Sequence, residues 1–271
     1  MKEYYKHILV VLVYRNTTDI LDFIDSVNKN ITESKIIIVN SYYDDESLEL
    51  VRKIANSNNC DFINVENKGF SYGNNIGLKY ALDNYDFDFV TCSNPDVVIN
   101  KFEDKILTEY PDSIYGPEIT TINGRKQNPM VIFKNDFINK LIYYSYTKNI
   151  RFFFILAVAC SKVLRFVGRC SYAVKNMNSY PVFQLHGCFI IFSRIYIEKY
   201  GPPFDENMFL FGEEGVLAYE AYQNGTKLIY TNEIDILHKE DGSMSLFSGN
   251  LNNELIKSNI YFYEKYLKGK S

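Results

Sequence analysis

The sequence has no CxxC pair and no Cys/His run at zinc-finger spacing. Its five cysteines, at 60, 92, 160, 170 and 188, are odd in number and scattered. That argues against a disulfide framework and against a locally built zinc site, and it fits a reducing compartment. Basic charge is not in excess: 29 Lys and Arg stand against 33 Asp and Glu, for a net charge of −4. A general nucleic-acid binder needs a basic footprint for the phosphate backbone, so that class is excluded. The apolar run Ile8 to Val13 is shorter than a signal-peptide core and lacks a small-residue cleavage site. It reads as a buried first strand. Internal repeats and low-complexity linkers are absent as well.

One absence is local. Residues 137–175 contain no Asp or Glu but carry Lys140, Lys148, Arg151, Lys162, Arg165, Arg169 and Lys175, interleaved with "IRFFFILAVACSKVLRFV". The apolar part of that run is shorter than the roughly 20 residues a bilayer-spanning helix needs. It reads either as a buried helix with solvated basic flanks or as a segment that rests on an anionic membrane surface.

With 271 residues, 46% of them apolar, the chain can bury a substantial α/β core. The first hundred residues alternate in type. Ile8–Val13, "KIIIVN" (35–40), "DFINV" (61–65) and "FDFVTC" (87–92) read as strands covered on both faces. Between them lie three helical patterns: one begins at Thr18 or Asp19, the second is "DDESLELVRKIA" and the third is "GNNIGLKYALDN". Such alternation implies right-handed βαβ crossovers and an open parallel sheet, with ligands at the carboxyl ends of the strands. Further on, "VFQLHGCFIIFSR", "KLIYT" and "IDILH" look like strands. "EEGVLAYEAYQNG" looks like a helix closed by Gly225, and a last helix runs from about Leu251 to Leu267.

The loops after the first four strands should open on one edge. In the third loop Gly69 and Gly73 permit close backbone approach, and Asn74 and Asn75 are expected at a helix N-terminus that favours an anion. Taken alone, that pattern is also ordinary turn chemistry. Asp96 in "SNPDVVI" either caps the turn after Pro95 or serves a metal and a phosphate. Glu213 and Glu214 of "FGEEG" either complement a helix dipole or include a general base. Adjacent residues point about 100° apart on a helix, so one acid of the pair is expected to act.

The collinear order "NKGFSYGNNIG", "SNPDVVI", "GCFIIFSR", "FDENMFLFGEEGVLAYEAYQNG", "ILH" resembles the family 2 inverting glycosyltransferases over roughly residues 7–240. It is closest to the branch that includes bacterial rhamnosyltransferases of O-antigen, capsule and other surface polysaccharides. The resemblance implies an α/β class chain with the A-type glycosyltransferase fold, a Rossmann-like, mostly parallel sheet flanked by helices with C-terminal acceptor-side helices. Residues 1–100 would bind the nucleotide sugar and 101–250 the acceptor, and 251–271 would form the C-terminal helix. It assigns Mn²⁺ or Mg²⁺ to Asp96, as the last carboxylate of a variant DxD motif, and to His238 as a further ligand or acceptor-site residue. Glu214 becomes the base that deprotonates the acceptor hydroxyl, with Glu213 in reserve. Tyr14, Asn16, Asn40, Asp45, Gly69, Gly73, Asn74, Asn94 and His186 are expected around the donor.

The resemblance further implies a dTDP-rhamnose or UDP-sugar donor and a saccharide acceptor, including one linked to undecaprenyl diphosphate. The place of work would be the cytoplasm, at the inner face of the membrane, where segment 137–175 would touch lipid. The chain departs from the family's pattern in three places. Glutamate replaces the usual aspartate at 214, Val216 stands where a further Asp is common, and the second strand ends in Asn40-Ser41 instead of Asp-Asn. These changes leave nucleotide preference open, and with it two rival readings, an inert binding scaffold and a sugar nucleotidyltransferase.

Overall fold

The computed structural model describes residues 2–240 and 250–269. Residues 241–249 of the expected acceptor half and the last two of the C-terminal segment lie outside the described residues.

The βαβ pattern of the first hundred residues is realised as β1 (Glu3–Val13), α1 (Asp19–Asn30), β2 (Ser34–Ser41), α2 (Asp45–Ser57), β3 (Asp61–Val65), α3 (Phe70–Asn84) and β4 (Tyr85–Ser93). Alternate residues of β1 supply two cores. Leu9, Val11 and Val13 pack with Phe23, Ile24, Val51 and Ile54 of α1 and α2, whereas Ile8 and Val10 pack with Leu78 and Ala81 of α3. A strand buried on both faces has no polar side, which is why this run reads as continuous hydrocarbon.

The sheet continues through β5 (Val97–Phe102), β6 (Ile114–Thr121), β7 (Ser179–Val182), β8 (Phe189–Ser193) and β9 (Leu228–His238) in the order β3-β2-β1-β4-β8-β6-β9-β5, with β7 also on β9. Strands β1, β2, β3, β4, β6 and β9 run one way, and β5, β7 and β8 run the other. The expected α/β class and mostly parallel, helix-flanked sheet are therefore found, and residues after 100 extend the sheet begun by the first half. "KLIYT" and "IDILH", expected as two strands, form one: β9 changes register opposite Pro117/Glu118, and that irregularity hides its continuity in the sequence.

Helices α4 (Asp136–Thr147) and α5 (Arg151–Val174) form the basic segment and pack on each other, then α6 (Arg194–Tyr200) follows β8. α7 (Glu213–Asn224) lies between the sheet and α8 (Leu251–Phe262). Its Leu217, Ala218 and Ala221 join the sheet core, and its Val216 and Tyr219 meet Phe262 and Tyr266. Gly225 ends α7 in the left-handed conformation, as its position at C′ demands.

Candidate functional site

Strand register brings distant polar residues to the carboxyl edge of the parallel strands. Ser93 at the end of β4 pairs with Phe189 at the start of β8, and the next N–H, that of Asn94, donates to the Cys188 carbonyl at 2.9 Å. β9 ends at His238, opposite Val97 of β5 and Thr121 of β6. Asp96, one residue before β5, therefore lies beside that imidazole: Asp96 Oδ2 is 3.4 Å from His238 Nε2.

His238 Nδ1 is 2.8 Å from Gln127 Oε1. An amide oxygen only accepts, so Nδ1 carries a proton and Nε2 faces the carboxylate. Asp96 is 3% exposed, and its Oδ1 has no hydrogen-bond partner. A buried carboxylate is costly unless something positive meets it. In the chain alone that something is a proton: burial pulls the His238 imidazole down, but the Cys188 sulfur and Asp96 outweigh it and hold it at about 10. Burial likewise pushes the Cys188 thiol up, and His186 with His238 more than reverses this, to about 7. An orphaned carboxylate oxygen next to an imidazole oriented by an amide fits a divalent cation.

The acid doublet enters from the other side. Phe211 (φ 70°) and Gly212 (φ 86°) are both left-handed, and they turn the chain sharply into α7. The loop before α3 braces this turn: Phe70 N–H donates to the Phe209 carbonyl at 2.9 Å. At Gly69 (φ +102°) an added Cβ would lie 2.2 Å from that same oxygen, so only glycine fits there. Glu213 is buried with Oε1 unpartnered. Burial first, and then Glu214, push its carboxyl up to about 8, so it keeps its proton at neutral pH. Glu214 is half-buried, and its Oε1 accepts from Gly187 N–H at 3.2 Å. The His186-Gly187-Cys188 turn thus touches Glu214 through Gly187 and approaches His238 through its two side chains.

The Glu213 shift has a measurable consequence. Between about 4.5, its ordinary value, and about 8, the folded chain holds a proton that the unfolded chain has released. Stability should therefore fall as pH rises through that window and level off above it. Glu213→Gln should remove this slope, giving a higher melting temperature than the parent at pH 8 and little difference near pH 4.5. Parallel melting curves across the window would contradict the protonated state.

The other expected site residues divide by what they already bind. Asn16 is buried: its Oδ1 accepts from Asp19 N–H (3.2 Å) and its Nδ2 donates to Asp19 Oδ2 (2.6 Å). It therefore fixes the start of α1, where Thr18 makes no side-chain cap to the backbone. Asn40, also buried, donates to its cross-strand neighbour Asn64 at 2.7 Å. Gly73 and Asn74 are not at a helix N-terminus as expected, because α3 starts earlier, at Phe70. The absent Cβ of Gly73 makes room for Leu12, only 2.4 Å away, and buried Asn74 donates back to the Phe70 carbonyl at 3.0 Å. These small and polar residues belong to helix-on-sheet packing, a close approach that resembles a turn when read as composition. Tyr14 meets Tyr43 edge-on at 5.9 Å, and the Arg15 guanidinium lies 4.0 Å from the centre of the Tyr43 ring. Asp45 is exposed and accepts from the Tyr42 hydroxyl. Together these make a polar, aromatic wall at the ends of β1 and β2. Asn94 and His186 are half-buried at the turn holding Asp96 and the turn before β8.

Three residues escaped the reading of the sequence. Gln127 orients His238. Lys239 ties the end of β9 to α1 through Asp19 (2.7 Å) and Asp22. Cys188 sits with His186 and His238 so that one ligand atom from each lies within 4.8 Å of the others. A separate cavity of ≈ 350 Å³, lined in part by Glu118, Lys126, Asn128 and Arg169, contains neither Asp96 nor the acid doublet.

Against known proteins, the profile of Glycosyl transferase family 2 matches residues 8–160. The low-salt glycan biosynthesis hexosyltransferase Agl10 of Haloferax volcanii is 23% identical over 268 residues, which cover 94% of this chain and 76% of the relative. S. aureus TarS 1–349 in complex with UDP superposes with a TM-score of 0.55 at 18% identity, over 86% of this chain and 60% of that one. GalNAc-T7 with UDP, GalNAc and Mn²⁺ gives 0.59 at 11% identity, over 88% and 44%. The chain spans less than two thirds of either solved chain, and at such identities the likeness is one of fold.

Proposed function

The chain belongs to glycosyltransferase family 2, and from that premise we propose that it transfers a sugar, with inversion, from a nucleoside-diphosphate donor to a saccharide hydroxyl. The observation that carries this reading is the convergence on the His186-Gly187-Cys188 turn: Asp96 reaches it through His238, and Glu214 touches it at Gly187. A metal-binding carboxylate and a candidate base on opposite sides of one turn suit in-line displacement at an anomeric carbon.

A divalent cation, Mn²⁺ or Mg²⁺ in the family's usual chemistry, would be held by Asp96 and His238 and would supply Lewis-acid stabilisation of the departing diphosphate. Glu214 takes the proton from the acceptor hydroxyl. Glu213 already holds a proton, and so it shapes the turn without acting as base. Tyr14, Asp45, Asn94 and His186 line the approach to the donor, while Gly69, Gly73, Asn16, Asn40 and Asn74 hold the loops that carry it. The name of Agl10 and the nucleotide in the TarS complex support a hexose or rhamnose on UDP or dTDP. The product would be a bacterial surface glycan.

The test is nucleoside-diphosphate release from a panel of nucleotide sugars with a divalent cation. One donor should be hydrolysed slowly, and a chelator should stop it. No release from any donor above the buffer rate would leave a binding scaffold as the better reading.

Helix α5 supports a place at the inner face of the cytoplasmic membrane, where an undecaprenyl-diphosphate-linked acceptor resides. No helix among the described residues is long and apolar enough to cross a membrane. Yet Phe152, Ile155, Val163, Phe166 and Val174 are exposed at helical spacing along α5. Exposed Lys148, Arg151, Lys162 and Lys175 flank them. An apolar stripe inside a basic frame complements anionic lipid. The protein should therefore pellet with phosphatidylglycerol vesicles at low salt and far less with phosphatidylcholine. Phe152→Ser with Phe166→Ser should lower the bound fraction several-fold. Equal recovery in the supernatant with and without vesicles would refute the contact.

A further inference from the structure

Three ligand-type side chains from distant positions share one buried point. His186 and Cys188 precede β8 and His238 ends β9, and the β4/β8 and β6/β9 registers bring them together. Cys188 is 2% exposed and His238 8%. One ligand atom from each residue lies within 4.8 Å of the others, and the two imidazole centres are 5.6 Å apart. Ligands around a tetrahedral zinc sit roughly 3.5 Å from one another, so small side-chain rotations bring these three into range. The unpartnered carboxylate of Asp96 borders the same imidazole. The available donors are therefore one sulfur, imidazole nitrogens and a carboxylate oxygen.

Magnesium binds oxygen almost exclusively and manganese prefers it, whereas a thiolate with imidazoles selects zinc-class ions. We propose that Cys188, with His186 and His238, makes this a thiolate-bearing site for a borderline divalent cation, one that holds Zn²⁺ or Co²⁺ in preference to Mg²⁺ or Mn²⁺. With three protein ligands, a zinc-class ion keeps a coordination position for an oxygen ligand, as catalytic sites of this type do. The inference rests on the transferase reading for the purpose of the ion, since Asp96 and His238 are the residues that reading gives to the donor's cation; the binding itself stands on the donor set alone.

Cobalt provides the test, because a thiolate bound to Co²⁺ gives a charge-transfer band in the near ultraviolet that oxygen and nitrogen ligands do not. The metal-free full-length chain titrated with Co²⁺ should develop that band together with strong visible bands. One equivalent of Zn²⁺ should abolish them, and about a 100-fold excess of Mg²⁺ should leave them intact. Cys188→Ser should lose the near-ultraviolet band. Should that variant fail to fold, the parent spectrum alone decides. A parent spectrum without the charge-transfer band, or Co²⁺ displaced by an equal concentration of Mg²⁺, overturns the proposal. Donor hydrolysis supported by Mn²⁺ with no thiolate band would remove this inference and leave the transferase reading standing. The band without hydrolysis of any donor would do the reverse.

Discussion

Asp96→Ala is expected to reduce nucleoside-diphosphate release by at least about 10²–10³-fold, the cost of losing one group that stabilises charge on a leaving group. The same variant should melt at the parent's temperature or above it. Asp96 Oδ1 is buried without a partner, and Oδ2 has only the 3.4 Å approach of His238. Removing the side chain therefore relieves a desolvated charge and breaks little. A residue kept for architecture would lose stability and activity together; one kept for a cation loses activity alone. Steady-state kinetics beside thermal unfolding separate the two cases, and undiminished turnover would end the metal assignment.

Had Asp96 only capped its turn, its carboxylate would have been committed to backbone N–H groups, as Asp44 is at the start of α2, where it accepts from Ser47 N–H at 2.8 Å. Both residues sit at the start of a regular element and look alike in the sequence. The difference lies in what the fold brings up to them. Local pattern was sufficient for β1 to β4 and the helices between them, because each strand is an unbroken β-branched run followed by an amphipathic stretch. It was insufficient for β6, whose Gly116 and Pro117 read as turn residues. That strand nevertheless lies between β8 and β9, with a register shift at Pro117/Glu118 that absorbs the proline.

The site divides along the same line. Asp96, His238 and the acid doublet stand in short motifs and could be singled out by residue type. Cys188 and Gln127 could not, because their meaning comes from His238, which is 50 residues or more away in sequence and is delivered by strand pairing. Scattered cysteines exclude a zinc site built from one local segment; they do not exclude one assembled across a sheet.

Glu214→Gln should lower the turnover number for transfer by about 10²–10⁴-fold, the range for loss of a positioned general base, with little change in the Michaelis constant of the donor. The amide keeps an oxygen able to accept from Gly187 N–H, so the turn before β8 is preserved and the loss reports on proton transfer. Glu213→Gln is the matched control. A carboxyl that holds its proton up to about pH 8 cannot remove one from a sugar hydroxyl at neutral pH, and its neutral isostere should turn over within a few-fold of the parent. The two variants change the same atoms on neighbouring residues, one buried and one facing the turn that approaches His238. Opposite outcomes for them assign the base, and loss of turnover in Glu213→Gln with Glu214→Gln unaffected would move that role to the buried acid.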